Sequence, residues 1–272
     1  MFVDFCSLAS GSSGNCQYIG TEKAHFLVDN GLTIKYVVNA LSHLNIDPKT
    51  ISGIFISHEH SDHIKGVGSF HRKYKVPIYC HEKTWSAVVK QVGNYDQQLI
   101  HFLTPGERVQ IQDMYIEPIA ISHDAVAPLA FVFEHAVTGV SVAVATDLGV
   151  VDEQMLKSLY RVQLLLLESN HNVDMLLRGS YPYPLKRRVL SETGHLSNED
   201  CARAIIHLYQ QGALKSVFLG HLSKENNTPD LAYETMRSSL ALEGIVVDQD
   251  ILIEMTYRNR IGKRMRIRDT AL

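Results

Sequence analysis

The stretch Ser57-His58-Glu59-His60-Ser61-Asp62-His63 puts three imidazoles and the carboxylate of Asp62 within seven residues. Packing alone does not ask for this, because an imidazole is only half apolar and each buried ring nitrogen needs a partner. On an extended backbone His58 and His60 point the same way, so both can bind one cation. Asp62 and His63 follow where the chain turns into a helix, and they project toward a second cation beside the first. The apolar run Ile51-Ser52-Gly53-Ile54-Phe55-Ile56 just before them reads as the buried strand that carries the cluster.

Later strands end in similar groups. His123 closes Ile119–Ser122 and precedes Asp124; Asp147 closes Val142–Thr146; Glu168 and His171 follow Leu164–Leu167; His221 closes Ser216–Gly220. Polar strand ends are common, but side chains fixed on a rigid sheet edge are also where active sites are built. Beside the 58–63 cluster they read as one joint set. Its donors are nitrogen and oxygen with no thiolate, which suits zinc, manganese or iron without choosing among them.

The elements that must position these groups follow from pattern and punctuation. Phe2–Leu8 and Ala24–Asp29 read as strands, and Ile34, Val37, Val38, Leu41 and Leu44 recur at helical spacing until Asp47-Pro48. Ile64–Tyr74 reads as a helix, Val76–Cys80 as a strand, and Trp85, Val88, Val89 and Val92 as the apolar face of a helix closed by Gly93. Strands follow at Met114–Ile121, Leu129–Phe133, Val140–Ala145 and Leu164–Leu167, with helices at Asp152–Tyr160, Asn198–Gln211 and from Thr228-Pro229 to Gly244. Two strand-then-helix halves without a Pro/Ser/Gly-rich linker predict one compact domain over 1–272, a sandwich of sheets covered by helices.

Length allows a full core, and a net charge of −3 points to no polyanion or membrane partner globally. No apolar run has membrane-spanning length, and Met1-Phe2-Val3-Asp4 lacks the basic start of a secretory signal. Cys6, Cys16, Cys80 and Cys201 show no CxxC spacing, so a reduced, cytoplasmic setting is expected. Fourteen histidines are the compositional oddity.

Two segments suggest substrate contacts. In Ala9-Ser10-Gly11-Ser12-Ser13-Gly14-Asn15, small residues let the backbone turn tightly and expose N–H groups, as anion-holding nests do; a flexible loop would look the same. Arg178, Lys186, Arg187 and Arg188 interleave with Tyr181 and Tyr183, a pattern shared by phosphate-and-base platforms and solvated loops. Arg258–Arg268 carries six Lys/Arg in eleven residues and reads equally as a solvated tail or a nucleic-acid contact.

The His-x-His-x-Asp-His loop followed by His123, Asp147 and His221 at successive strand ends resembles the metallo-β-lactamase superfamily. More narrowly the chain is similar to its YycJ (WalJ, VicX) branch through SLASGSSGN, SHEHSDHIKG, ESNH, YPYPLKRR, GHLSNED and HLSKENN. The basic end after Arg258 and Leu148, where threonine is expected, fall outside that resemblance. The resemblance implies an αββα sandwich of two mixed sheets covered by helices. It implies two divalent ions: His58, His60 and His123 on one, Asp62, His63 and His221 on the other, and Asp147 bridging. Such a pair would lower the pKa of a shared water and neutralise charge on an in-line phosphoryl transition state.

Glu168 and His195 resemble a charge pair of ribonuclease Z-like members, poised to protonate a leaving oxygen. Ser12, Ser13, Asn15, His171, Arg187 and Arg188 are the candidate substrate contacts; His171 reads equally as support for a ligand or as purely structural. The activity implied is 5′-to-3′ exonuclease action on double-stranded DNA. The alternatives are hydrolysis of a small cyclic phosphodiester, as in phosphoribosyl cyclic phosphodiesterases, and a non-enzymatic regulator that keeps only the fold; the complete ligand set speaks against the second.

Overall fold

The computed structural model describes residues 1–268, so the last four positions of the expected domain lie outside the described residues. The strands are β1 (Phe2–Ala9), β2 (Cys16–Gly20), β3 (His25–Val28), β4 (Ile51–Phe55), β5 (Ile78–Cys80), β6 (Ile100–Phe102), β7 (Val109–Ile111), β8 (Met114–Ala120), β9 (Leu129–His135), β10 (Ser141–Ala145), β11 (Leu164–Glu168), β12 (Ser216–Gly220), β13 (Leu252–Met255) and β14 (Met265–Arg268). The helices are α1 (Ile34–His43), α2 (Ser61–Ile64), α3 (Val67–Tyr74), α4 (Glu82–Val92), α5 (Glu153–Leu159), α6 (Val173–Arg178), α7 (Tyr183–Val189), α8 (Asn198–Gln211) and α9 (Pro229–Leu242).

Among the described residues the strands form two sheets, ordered β14-β1-β2-β3-β4-β5-β6 and β13-β12-β11-β10-β9-β8-β7. Each is mixed. β14, β1, β2 and β3 pair antiparallel and β3 to β6 parallel; β7 to β9 pair antiparallel and β11 to β13 parallel. Two mixed sheets with helices are the fold class read from the sequence.

The chain divides into two compact units, one of Met1–Ala120, Ala125–Val142 and the segment from Tyr257, the other of Ile121–Asp124 and Ala143–Thr256. In the first, Phe26 of β3 and Phe55 of β4 meet Phe131 and Phe133 of β9, with ring centroids 5.2–5.7 Å apart in edge-on or tilted pairs. Such pairs add about 0.5–1.5 kcal/mol each beyond the area they bury. In the second, the leucines of β11 are wholly buried, as continuous apolar runs in parallel sheets require. α8 begins on the Ser197 cap, whose hydroxyl accepts from Asp200 N, and stops at Gly212.

The differences from the sequence reading have local causes. The 64–74 helix is two helices, α2 and α3, separated at Lys65-Gly66. Residue 66 must be small: a Cβ there would lie 2.0 Å from the carbonyl oxygen of Leu32. The basic end is not simply a solvated tail. Its Met265–Arg268 is β14, and Arg264 and Arg266 both donate to Asp4, a carboxylate 1% exposed on β1.

Candidate active site

In the first unit β4 delivers Ser57 and His58 to the end of a buried strand, and α2 follows at once with Asp62 and His63. β3 ends beside them with Asp29, whose φ of 59° turns its side chain back under the cluster. Asp29 Oδ1 accepts from Ser57 N at 2.8 Å; Oδ2 accepts from Ser57 Oγ at 2.8 Å and lies 2.7 Å from His63 Nδ1. Facing a carboxylate, Nδ1 of His63 carries the proton, which puts the ring's lone pair on Nε2. Asn15 Nδ2 lies 3.0 Å from that Nε2 and 3.3 Å from Asp62 Oδ2.

Ser57 Oγ spends its own proton on Asp29, so it receives one from His58 Nδ1, 2.9 Å away. The lone pair of His58 is thereby on Nε2, 3.0 Å from Nδ1 of His60. Two ring nitrogens converging on one place, with the His58 tautomer fixed from behind, are an arrangement suited to imidazole ligands of a cation. The turn that supports α2 depends on Gly31, where a Cβ would lie 1.6 Å from the carbonyl oxygen of Asp62.

The second unit gathers Asp147, Glu168, His195 and His221, one ligand atom of each within 4.8 Å of the others. Asp147 and His221 follow β10 and β12 with φ of 59° and 52°. Left-handed backbone is rare outside glycine and costs energy unless the surroundings impose it. Glu168, at the end of β11 and fully buried, is the hub. Its Oε1 lies 2.8 Å from Nδ1 of both His195 and His221, and its Oε2 accepts from Leu148 N at 2.9 Å and Leu196 N at 3.4 Å. Burial alone would raise the Glu168 pKa, but the two imidazoles outweigh it and pull it down to about 2. Conversely, burial works against the His195 cation and the Glu168 charge overcomes it, so His195 holds its proton more tightly than ordinary histidine. The Leu148 departure is inconsequential for this contact, since the residue contributes its N–H.

His123 is strapped in the same unit. Its Nδ1 lies 3.2 Å from the Gly194 carbonyl oxygen and its Nε2 3.3 Å from Asp124 Oδ1, and burial lowers its pKa. Asp124 Oδ2 in turn accepts from Arg188 Nε on α7. Lys186 caps α6 through the Leu177 carbonyl at 2.7 Å, while Arg187 is exposed. The basic segment is largely helical, with two of its cations occupied. Ser12 and Ser13 are exposed and Asn15 is buried. His171 is 1% exposed, neither ring nitrogen has a hydrogen-bond partner among the described residues, and burial pushes its pKa down to about 4, so its ring is neutral.

Sequence reading missed Asp29 as the holder of Ser57 and His63, although a carboxylate closing a buried strand is the same signal that marked Asp147. It also missed the Asp124–Arg188 pair. The donors present suit a hard or borderline divalent cation: imidazole nitrogens, carboxylate oxygens and no thiolate. The four cysteines are buried thiols, and burial raises their pKa values.

The family model described as "Beta-lactamase superfamily domain" matches residues 25–218. The chain is 42% identical to exodeoxyribonuclease WalJ of Streptococcus pneumoniae, over 90% of this chain and 91% of that protein. It is 37% identical to exodeoxyribonuclease YycJ of Bacillus anthracis, over 94% and 96%. Its fold matches the crystal structure of the metallo-β-lactamase fold protein YhfI from Bacillus subtilis with a TM-score of 0.70, covering 98% of this chain and all of that one at 13% identity. The chain thus belongs to the β-lactamase superfamily, in the family of the exodeoxyribonucleases WalJ and YycJ.

Proposed function

We propose that this chain is a metal-dependent exodeoxyribonuclease that degrades double-stranded DNA from the 5′ end. The observation that carries the reading is the His195 imidazole, 18% exposed and 2.8 Å from a fully buried Glu168. That is a proton donor with one side fixed and the other open. The exodeoxyribonuclease names of its relatives in Streptococcus pneumoniae and Bacillus anthracis support DNA as the polymer. In this reading His58, His60, Asp62, His63, His123, Asp147 and His221 would be the residues that hold divalent metal. Such cations would neutralise charge developing on the phosphoryl group and supply a nucleophile near neutral pH.

The chain's residues do the rest. His195 delivers its proton to the leaving oxygen, a contribution of about 10²–10⁴ in rate. Glu168 is a positioning residue: it fixes the His195 and His221 tautomers and ties down Leu148 and Leu196. Ser12, Ser13, Asn15 and Arg187 contact phosphates, Arg188 acts through Asp124, and His171 supports α8 through its carbonyl oxygen, which accepts from Asn198 N at 2.9 Å. A single domain acting in the cytoplasm is part of this reading. Among the described residues no helix is long and apolar enough to cross a membrane.

The test is to incubate the manganese-loaded protein with end-labelled duplex DNA, single-stranded DNA, RNA and a small cyclic phosphodiester. Shortening of duplex from its 5′ end is expected. Consumption of the cyclic ester alone would make the chain a small-ester hydrolase, and consumption of none would return it to a regulator.

A further inference from the structure

Three of the strings that carry the family resemblance, ESNH, GHLSNED and HLSKENN, bring more than Glu168, His195 and His221. Each also holds a buried asparagine: Asn170, Asn198 and Asn227. The three come together in the second unit. Asn227 Nδ2 donates to the carbonyl oxygens of Ser169 at 2.9 Å and Asn170 at 3.0 Å, and its Oδ1 accepts from Thr228 N at 3.0 Å. Backbone carbonyls only accept and backbone N–H groups only donate, so the main chain dictates which way this amide faces. Asn198 must then lie against it head to tail. Its Oδ1 accepts from Asn227 Nδ2 at 2.8 Å, and its Nδ2 donates to Asn227 Oδ1 at 3.1 Å. The Ser169 hydroxyl donates to the same Asn198 Oδ1 at 2.7 Å.

Each arm of this clasp ends on one of the two histidines that share Glu168 Oε1. Asn198 opens α8 three residues after His195, and between them the Leu196 carbonyl accepts from Asn170 N at 2.9 Å. On the other side Asn170 Nδ2 donates to the His221 carbonyl oxygen at 2.8 Å. That bond helps impose the left-handed φ of 52° on His221. A buried amide left without partners is costly, so the three side chains hold one another in a single arrangement. An ionised Glu168 only accepts, so both rings must bring an Nδ1 proton to one oxygen. Two rings can meet there only if the loops that carry them keep a fixed spacing.

We propose that Asn198 and Asn170, clasped by Asn227, are positioning residues that hold His195 and His221 at one spacing on Glu168. The inference deepens the reading of His195 as proton donor and rests on it for the effect on turnover. All three asparagines act through the loops rather than on substrate. A donor displaced by an ångström loses most of its contribution, because proton transfer requires hydrogen-bond reach of the leaving oxygen.

The experiment is imidazole NMR on the metal-free chain, following solvent exchange of the Nδ1 protons of His195 and His221. This readout needs neither metal nor turnover. Asn198→Ala should speed exchange at His195 about 3–10-fold and leave His221 near its native rate. Asn170→Ala should do the reverse, and Asn227→Ala should release both. Ser169→Ala removes one hydroxyl from the Asn198 arm and spares the amide pair. It should give the His195 effect in weaker form, and it keeps the test open if an asparagine variant does not fold. In the manganese form Asn198→Ala should slow DNA hydrolysis about tenfold, spare a nitrophenyl phosphodiester, and add nothing to His195→Ala. Faster exchange at both rings together with the backbone amides of the whole chain, in every variant, would make the asparagines general stabilisers and overturn the proposal. Unchanged exchange at both rings would overturn it as well. Ring-selective exchange in a protein that leaves duplex DNA intact supports the clasp and overturns the nuclease reading. Ring-selective exchange with equal losses on DNA and the nitrophenyl ester supports the clasp and overturns proton donation by His195.

Discussion

Asp29 Oδ2 lies 2.7 Å from His63 Nδ1, joining the ends of β3 and α2 across 34 residues of chain. The contact decides which nitrogen of His63 is basic, because the carboxylate keeps the proton on its own side. If two ions bind as the family resemblance implies, Asp62→Ala or His63→Ala should remove one of them and abolish hydrolysis with the fold intact, as read by metal analysis and circular dichroism. Two ions per chain after either change would break the ligand assignment. Asp29→Asn should keep both sites but weaken metal retention against a chelator by about 10–100-fold; unchanged retention would reduce Asp29 to a turn residue.

The leaving group tests His195. His195→Ala should slow DNA hydrolysis by about 10²–10⁴-fold with metal content unchanged. A nitrophenyl phosphodiester, whose leaving group needs little protonation, should lose much less. Equal losses on both substrates would rule out proton donation, and loss of metal would make His195 a ligand.

Arg187 and Arg188 are neighbours with different surroundings, and their substitutions should separate. Exposed Arg187 should contribute to DNA affinity regardless of sequence, so Arg187→Ala should flatten log affinity against log salt by up to about one unit. Small-ester turnover should not change. Arg188→Ala should instead release Asp124 and, through it, disturb His123, lowering turnover of the small ester as well as of DNA. Equal salt slopes for Arg187→Ala and the native chain would return that arginine to the solvated surface.

What could be read in the sequence was what is local. The 58–63 cluster and the polar residue after each buried strand are visible because strand, turn and ligand lie within a few positions. α8 was placed with its cap and its stop because Ser197, Glu199, Asp200 and Gly212 sit within a single window. The holders are invisible for the converse reason. Arg188 finds Asp124 across 64 residues, and Glu168 reaches His221 across 53. β2 leaves little signal because Cys16–Gly20 is short and has no alternation, and the basic residues before β14 hide a strand whose pairing partner, β1, lies more than 250 residues away.

Asp4 gives a pH prediction away from the active site. Burial raises its pKa, but hydrogen bonds and charge from Arg266 and Arg264 outweigh that and leave it below the ordinary value. A carboxylate depressed in the folded state stabilises fully above its unfolded pKa, and that stabilisation is lost as pH falls through the folded value. Asp4→Asn should therefore cost about 1–3 kcal/mol at neutral pH. The difference from the native chain should shrink below about pH 4 in urea unfolding. A constant difference across that range would mean that Asp4 acts through packing alone.

The pairing of β14 with β1 sets an order of events during synthesis. Asp4 and Arg264 are 260 residues apart, so at about 5–20 residues per second β1 waits tens of seconds on the ribosome for its outer neighbour. Throughout that interval a strand with seven of eight residues destined for burial has one open edge, the kind of edge on which other chains dock. For β1 the exposure ends when β14 pairs with it and two arginines close over a single carboxylate. The edge of the described sheet then passes to β14, a short strand that carries arginines, as protected edges do.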